Sequence, residues 1–380
     1  MLGCACTCLK VMLKAQNSSA VVQRNGNWYW NGRGVRNYKV TVVGAGGGIG
    51  QPLSMLLKQN PLIDELTLHD VGDIKGVAAD LSHICTSTQV DFFDGVKQQE
   101  LIDSLHDSHV VVVPAGLPRQ PGMTRDQLED ANSGVAMAVS CAVGMACPEA
   151  LLAFITNPIN TIVPIAAEFL KAKGVFDPNR LFGVTSLDVV RAKTFIADYM
   201  NIDPATVEIP VIGGHAGKTI LPIFSQCLPK FTGEEEDVKR LTERIQEAGT
   251  EVLMAKAGKG SATLSMAYAA AYFVNALLRG LNDEPGVIEC AYVASDATEL
   301  PFLATPLELG PNGIKKNLGL PSLNADEEAA FQKLLPELRQ SIERGVSYAA
   351  KIIDAAKPDQ ELIKEPDSKV EDSAKYAQSN

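Results

Sequence analysis

The sequence lacks both a long apolar run and an excess of positive charge. Its longest uncharged stretch, residues 150–167, is interrupted by the segment TNPINT. Since a proline between two asparagines is hard to satisfy in a bilayer helix, we predict no membrane span and no membrane partner. The formal net charge of −11 argues against a nucleic-acid partner. A chain of 380 residues that is 46% hydrophobic can instead bury a large core, which favours two domains or one large α/β unit with a second lobe.

Acidic residues do not occur before Asp64, whereas the first 39 positions carry six lysine or arginine residues. This imbalance is typical of a mitochondrial transit peptide, so we predict an N-terminal extension over residues 1–37 and a location in the mitochondrial matrix. A basic tail on a cytoplasmic protein is the alternative, because serine is sparse in this segment and Trp28 and Trp30 are unusual for a transit peptide.

The eight cysteines do not form a recognisable metal site. Three of them stand in CACTC near the N-terminus, with no histidine close by, and this is a poor zinc pattern. The other five lie in apolar surroundings, as reduced core cysteines do: Cys85, Cys141, Cys147, Cys227 and Cys290. We therefore predict no metal and no disulfide framework.

A glycine-rich turn follows the first β-rich run of the chain. Gly44, Gly47 and Gly50 form a G-x-x-G-x-x-G pattern that leads into leucines at helical spacing. Such a turn lets a pyrophosphate approach the backbone at a helix N-terminus. Asp70 ends the next strand, DELTLHD, where a carboxylate can bind both ribose hydroxyls and repel a 2′-phosphate, which favours NAD over NADP. A flexible turn and a strand-end acid are the structural alternatives.

Two continuous apolar runs, HVVVVPAG at residues 109–116 and LLAFITNP at 151–158, predict further strands. Runs of this kind are typical of parallel strands that are covered on both faces. The predicted fold class is therefore α/β, with a Rossmann-type doubly wound parallel sheet followed by a mixed α/β C-terminal substrate domain. Since ligands bind at the carboxyl ends of such strands, we expect residues 114–116 and 156–158 to border the cofactor.

Charged residues that suit an anionic substrate come next. Arg119 and Arg125 lie in a Pro- and Gly-rich loop, and guanidinium groups bind carboxylates with paired hydrogen bonds, although a solvated loop would look similar. The segment RLFGVTSLDVVRAKTFIADYM predicts a short strand and a helix that carries Asp188 and Arg191 on one face. Thr185 and Asp188 also fit a capping box, so a cap with an internal ion pair is the alternative to catalysis.

One histidine of the five in the chain lies beyond the first third, and it is His215, behind Gly213 and Gly214 at the end of VEIPVIG. Oxidation of a secondary alcohol by hydride transfer needs a base for the hydroxyl proton, and histidine suits this near neutral pH. A carboxylate that fixes the imidazole tautomer assists, and Asp188 is the best-placed candidate in the sequence. A lone histidine is otherwise most often structural.

These motifs together resemble those of the NAD-dependent malate dehydrogenases of the mitochondrial type, within the lactate/malate dehydrogenase family. The resemblance extends from about residue 38 to about residue 356. It rests on the order of seven segments: GGIGQPLS, GVAADLSHI, AGLPRQPGMTR, ITNPINT, LFGVTSLDVVRAKTF, IPVIGGHAG and GSATLSMAYAA.

The resemblance implies a homodimeric oxidoreductase that interconverts (S)-malate and oxaloacetate with NAD, in the citric acid cycle or a malate shuttle. It implies that His215 is the general acid–base and that Asp188 orients it. The cofactor site that it implies consists of Gly44, Ala45, Gly46, Gly47, Gly48, Ile49, Gly50, Asp70, Asn132, Ile155, Thr156, Asn157 and Met266.

The same resemblance assigns the substrate contacts. Arg191 is expected to hold the carboxylate next to the reacting carbon, and Arg125 to polarise the carbonyl. Arg119 is expected to bind the distal carboxylate, which distinguishes oxaloacetate from pyruvate. Asn157 is expected to help hold the substrate.

The resemblance also sets the domain limits, with an NAD-binding domain at 38–182, a catalytic and substrate domain at 183–356, and a charged, solvated tail at 357–380. Two departures from the family pattern are Lys218 and the segment DANSG around Asn132. They leave open a divergent paralogue as the alternative. Such a paralogue is either a 2-hydroxy acid dehydrogenase of shifted specificity, for instance towards lactate, or a non-enzymatic NAD-binding protein.

Overall fold

A computed structural model of the chain describes residues 38–117, 125–258 and 260–356, with the backbone alone over 125–129. The predicted N-terminal extension at 1–37 and the predicted tail at 357–380 lie outside the described residues.

The first half of the described chain alternates strands with helices. Its elements are β1 (Tyr38–Val43), α1 (Gly50–Lys58), β2 (Ile63–Asp70), α2 (Lys75–Ser82), β3 (Gln89–Asp94), α3 (Gln98–Leu105), β4 (Val110–Val113), α4 (Arg125–Ala146), β5 (Leu151–Phe154), α5 (Ile159–Ala172) and β6 (Leu181–Gly183). The strands pair in parallel in the order β3-β2-β1-β4-β5-β6. This is the strand order of a doubly wound dinucleotide-binding sheet, and it confirms the predicted fold class.

The central strands are shorter than the apolar runs predict. Every residue of β4 and β5 is buried, because helices cover both faces of the sheet. The predicted strands at 109–116 and 151–158 were nevertheless too long, since pairing ends at Val113 and Phe154. Beyond these points the chain turns, and the Thr156 hydroxyl donates to the Ala115 carbonyl at 2.6 Å. The turns place residues 114–117 and 155–158 side by side at the carboxyl edge of the sheet.

The second half continues the same sheet with antiparallel pairing. Its elements are α6 (Ser186–Met200), β7 (Val211–Gly213), β8 (Ile220–Pro222), α7 (Glu235–Ala255), α8 (Leu264–Leu281), β9 (Ile288–Ala294), β10 (Phe302–Gly310), β11 (Gly313–Asn317) and α9 (Ala325–Ala356). The order β6-β9-β10-β7-β8 extends from the parallel part, and β11 pairs with β10. The mixed α/β architecture expected for the C-terminal half is confirmed.

Two large apolar clusters lie on opposite faces of the sheet. One combines β4, β5 and β10 with α4, α5 and α9, and the other combines β1 and β2 with α1 and α8. Four of the predicted core cysteines are buried, namely Cys141, Cys147, Cys227 and Cys290. The prediction was wrong for Cys85, which is exposed, because the turn after α2 leaves it outside both clusters. Among the described helices, none combines the length and the apolar character needed to cross a bilayer.

Candidate active site

The glycine turn between β1 and α1 is tightly folded. Gly44 has φ +98°, and a Cβ there would lie 2.5 Å from the backbone nitrogen of Ala115. A Cβ at Gly50 would lie 2.0 Å from the carbonyl oxygen of Gly44. Glycine is therefore required at both positions, because any side chain would open the turn or push it away from the neighbouring strand. Between them, Gly47 and Gly48 are exposed.

The end of β2 meets this turn. The Asp70 Oδ2 atom accepts from the backbone N–H of Gly46 at 2.8 Å, and Oδ1 accepts from Gly72 at 3.1 Å. Helix α1 begins at Gly50 without a side-chain cap and without an acidic residue in its first turn. An open backbone cradle at an uncapped helix N-terminus suits a phosphate, and a partly exposed carboxylate beside it suits a ribose diol. This geometry fits the nucleotide that the sequence predicts.

The second border of the site is held by Asn132 on α4, which is 2% exposed. Its Oδ1 accepts from the backbone N–H of Leu117 at 2.8 Å, and its Nδ2 donates to the carbonyl of Asn157 at 2.7 Å. The amide thereby joins the loop after β4 to the loop after β5. Asn132 therefore shapes the site through the backbone of its neighbours, while Asn157 itself is exposed.

The apolar members of the predicted cofactor set gather on one face of the sheet. Ala45, Ile155 and Met266 are buried in the same apolar cluster, and Ile49 packs against it partly exposed. Met266 lies in the first turn of α8, which the cluster brings close to the glycine turn. These side chains form a wall behind the exposed glycines.

The predicted acid–base pair is present as a short hydrogen bond. The His215 Nδ1 atom lies 2.6 Å from Asp188 Oδ2, and the two side chains are 11% and 0% exposed. With Asp188 as a carboxylate, Nδ1 must carry the proton, which leaves Nε2 able to accept one. The second oxygen of Asp188 is buried and has no hydrogen-bond donor among the described residues. The negative charge of Asp188 is thus directed chiefly towards His215.

The capping alternative for Asp188 was wrong. Thr185 precedes α6 but makes no side-chain cap, because its hydroxyl donates instead to the Cys290 carbonyl at 3.3 Å. Asp188 lies in the first turn of α6 and turns away from the helix end towards His215. No ion pair within 4 Å joins Asp188 to Arg191 in the described part of the chain.

Arg191 lies one turn beyond Asp188 on α6 and is partly buried. Burial lowers the pKa of its guanidinium, while the charges of Asp188 and Glu251 act in the opposite direction. Within the described residues it forms no salt bridge, so this partly desolvated cation has no ion-pair partner there. A carboxylate ligand would supply that partner.

The turn that presents His215 depends on a residue that sequence reasoning missed. The backbone N–H of His215 donates to Asn160 Oδ1 at 2.8 Å, and Asn160 is 2% exposed. Gly213 has φ +97°, and a Cβ there would lie 2.2 Å from the Thr219 carbonyl oxygen. The available signal was the second asparagine of TNPINT, a polar residue at the start of an apolar helix, but nothing in the sequence connects it to His215.

The remaining predicted residues are placed as follows. Arg119 lies outside the described residues, and Arg125 begins α4 with its side chain also outside them. Lys218 is exposed in the short turn Gly217–Thr219 after His215. The structure therefore brings together His215, Asp188 and Arg191, and separately the nucleotide cradle.

Comparison with known proteins agrees with this geometry. Residues 38–183 match the family profile "lactate/malate dehydrogenase, NAD binding domain", and residues 185–349 match "lactate/malate dehydrogenase, alpha/beta C-terminal domain". The chain is 53% identical to mitochondrial malate dehydrogenase of Felis catus, over 82% of this chain and 92% of that protein. It is 52% identical to the Homo sapiens protein of the same name, with the same two coverages.

A solved structure has a similar fold. The malate dehydrogenase of Cryptosporidium parvum aligns with a TM-score of 0.71 at 24% identity, over 82% of this chain and 99% of that chain. At this identity the likeness concerns the fold.

Proposed function

Because the chain belongs to the lactate/malate dehydrogenase family, we propose that it catalyses the reversible oxidation of (S)-malate to oxaloacetate with NAD⁺. The relatives of about 50% identity are malate dehydrogenases. The proposal assigns the acid–base work to His215 and Asp188 and the binding of the dicarboxylate to three arginines.

The observation that carries the proposal is the buried hydrogen bond between Asp188 and His215. Nε2 of His215 takes the proton of the malate C2 hydroxyl as the carbonyl forms, and it returns that proton in the reverse reaction. The imidazolium that results is stabilised by Asp188, whose carboxylate has no competing donor among the described residues. His215 therefore supplies the proton transfer and Asp188 its electrostatic support.

NAD⁺ fits the cradle between β1 and α1. The exposed turn at Gly47 and Gly48 would hold the pyrophosphate, and Asp70, which also accepts from the Gly46 N–H, the ribose of the adenosine. When bound there, NAD⁺ would supply the acceptor for the hydride from C2 of malate. Asn132 supports this arrangement by fixing the loop that ends at Asn157. The carboxylate of Asp70 disfavours a 2′-phosphate, which supports NAD as the cofactor.

The dicarboxylate has two charges to be matched. We assign the carboxylate beside C2 to Arg191, whose partly buried charge has no salt-bridge partner in the described part of the chain. By family resemblance we assign the carbonyl oxygen to Arg125 and the distal carboxylate to Arg119. Planar guanidinium groups suit these contacts because they form paired hydrogen bonds. Asn157, exposed at the same edge of the sheet, is assigned to the substrate as well.

The test compares oxaloacetate with pyruvate in an NADH oxidation assay on the full chain. Arg119→Gln is expected to lower kcat/KM for oxaloacetate about 10- to 100-fold, since a charge-assisted hydrogen bond contributes about 1.5–3 kcal/mol. The same variant should leave the low activity with pyruvate nearly unchanged, because pyruvate has no distal carboxylate. Arg240→Gln, an exposed arginine on α7 paired with Asp237, is the matched control.

Two outcomes would overturn the proposal. Preference for pyruvate in the wild type would indicate a 2-hydroxy acid dehydrogenase of shifted specificity. Tight NADH binding without turnover of either substrate would indicate a non-enzymatic NAD-binding protein.

We further infer that residues 1–37 are a transit peptide and that the protein acts in the mitochondrial matrix, in the citric acid cycle or a malate shuttle. The relatives are named as mitochondrial proteins, and the first 39 residues of this chain carry six basic residues and no acid. Fusion of residues 1–37 to a fluorescent protein should direct it to mitochondria. A cytoplasmic signal would support the basic-tail alternative.

We also propose that two copies associate through α8. Leu264, Tyr268 and Tyr272 are 73%, 55% and 44% exposed, and their four-residue spacing places them on one face of the helix. Met55, on the neighbouring helix α1, is 44% exposed. An apolar stripe of this kind is typical of an interface. Sedimentation should show a dimer in the wild type and a monomer for Tyr268→Lys, whereas a monomeric wild type would refute the inference.

A further inference from the structure

We infer that Asn160 is a positioning residue that fixes His215 for proton transfer. The inference rests on the proposed function and adds to it a residue outside the predicted catalytic and binding set. It is carried by the hydrogen bonds of one buried amide and by Gly214, which leaves room for that amide.

The Asn160 side chain holds both ends of the turn that follows β7. Its Oδ1 accepts from the backbone N–H of His215 at 2.8 Å, and its Nδ2 donates to Thr219 Oγ1 at 3.2 Å. A backbone N–H can only donate, so it determines which end of the amide faces His215. Asn160 is 2% exposed, so both bonds are shielded from bulk water.

The turn is closed from the other side by Thr219. Its hydroxyl donates to the Ala216 carbonyl at 2.8 Å and accepts from the Ala216 N–H at 3.0 Å. The Thr219 carbonyl in turn accepts from the backbone N–H of Gly214 at 2.8 Å. The backbone on both sides of His215 is therefore held by named bonds, and Asn160 joins this backbone to α5.

Gly214, directly before His215, leaves the space that the Asn160 amide occupies. A Cβ at Gly214 would lie 2.7 Å from Asn160 Oδ1 and 2.8 Å from Thr219 Oγ1. These distances are too short for any side chain, so the glycine is required by the presence of the amide. The segment GGH thus fits around the side chain of Asn160, although 55 positions separate Asn160 from His215.

Asn160 also connects the acid–base group to the substrate-facing loop. It lies in the first turn of α5, three positions after Asn157, whose carbonyl is held by Asn132. The position of the His215 backbone is thereby tied to that of the segment that is assigned to substrate and cofactor. A displacement of about 1 Å at a reacting group can cost about 100-fold in rate, so this link has a kinetic consequence.

The test uses the full chain with Asn160→Ala, Thr219→Val and the conservative Thr219→Ser. The matched control is Asn60→Ala, because Asn60 also accepts from a backbone N–H (Leu62, 2.9 Å) and donates to a side chain (Asn275, 2.9 Å). We expect Asn160→Ala to lower kcat about 10- to 100-fold. We also expect the pH profile of kcat/KM to move and the Kd for NADH to change less than about 2-fold. Thr219→Val should lower kcat in the same direction, and Thr219→Ser should restore it.

The inference is overturned if kcat of Asn160→Ala stays within about 3-fold of wild type, or if kcat falls as much in Asn60→Ala. It is also overturned if kcat falls only with the folded fraction while the pH profile is unmoved. Should Asn160→Ala fail to fold, the Thr219 pair decides the question. The NMR titration of the His215 ring, identified with His215→Gln, should differ between wild type and Asn160→Ala even without turnover. A wild type that does not reduce oxaloacetate would refute the proposed function, whereas the NMR comparison would still test the role of Asn160.

Discussion

Replacement of Glu289 by glutamine should change how the stability of the protein depends on pH. Glu289 lies at the start of β9, and burial raises the pKa of its carboxyl to about 7. A hydrogen bond with Tyr272 on α8 and the charges of Lys193 and Arg279 oppose the rise, while Glu208 adds to it. The ionised carboxylate is thus incompletely compensated in the folded state.

The magnitude follows from the two proton affinities. The ordinary pKa of this group is 4.5 and the folded-state value is about 7, so between these pH values the folded protein binds more protons than the unfolded chain. Stability therefore falls as pH rises through this window, and the loss is complete above pH 7. At about 1.4 kcal/mol per pKa unit, the wild type should lose about 2–3 kcal/mol relative to Glu289→Gln between pH 5 and pH 8.

The assay is urea unfolding of both proteins at pH 5 and pH 8, at one protein concentration because association also affects stability. Glu65→Gln provides the same chemical change at an exposed glutamate on β2. The expected result is that the free energy of unfolding of Glu289→Gln rises relative to that of the wild type as pH rises. This holds whatever the stability of the variant at pH 5. A difference between the two proteins that is the same at both pH values would refute the reasoning.

Three substitutions in the candidate site have distinct expected effects. Asp188→Asn should lower kcat about 10- to 100-fold with little change in the Kd for NADH, because it removes a charge-assisted hydrogen bond worth about 1.5–3 kcal/mol. An undiminished kcat in steady-state assays would contradict this. Arg191→Gln should raise KM for oxaloacetate about 100-fold without lowering the thermal midpoint, because it removes a partly buried cation that has no salt bridge among the described residues. A lower midpoint by calorimetry would mean that Arg191 stabilises the fold. Gly213→Ala should lower the free energy of unfolding by about 2 kcal/mol or more in urea unfolding. Its Cβ would lie 2.2 Å from the Thr219 carbonyl oxygen, in a residue with φ +97°. Near wild-type stability would count against a rigid turn.

Much of the nucleotide-binding half is readable in the sequence, because its signals are local. The run before Gly44 and the leucines after Gly50 predict strand, turn and helix, and the structure has β1 and α1 there. Asp70 is found at the end of its predicted strand, beside the turn. The ends of β4 and β5 were predicted too late, because apolar residues continue past the point where neighbouring strands stop pairing.

The acid–base pair shows where local signals end. The types of Asp188 and His215 suggest hydride-transfer chemistry, and their order along the chain matches a family, but T-x-x-D before an apolar helix fits a cap equally well. The packing of α6 against β7 brings Asp188 Oδ2 within 2.6 Å of His215 Nδ1 across 27 positions, and Thr185 forms no side-chain cap.

The sequence by itself therefore determined the alternation of elements, the glycine turn and the residue types of the site, since each depends on neighbours a few positions away. The tertiary structure alone decided which polar atoms meet. Asn160 reaches the backbone of His215 from 55 positions away, and no periodicity or spacing encodes such a contact. It exists because folding packs the two chain segments together and buries Asn160, and buried polar groups must find their hydrogen-bond partners in the protein.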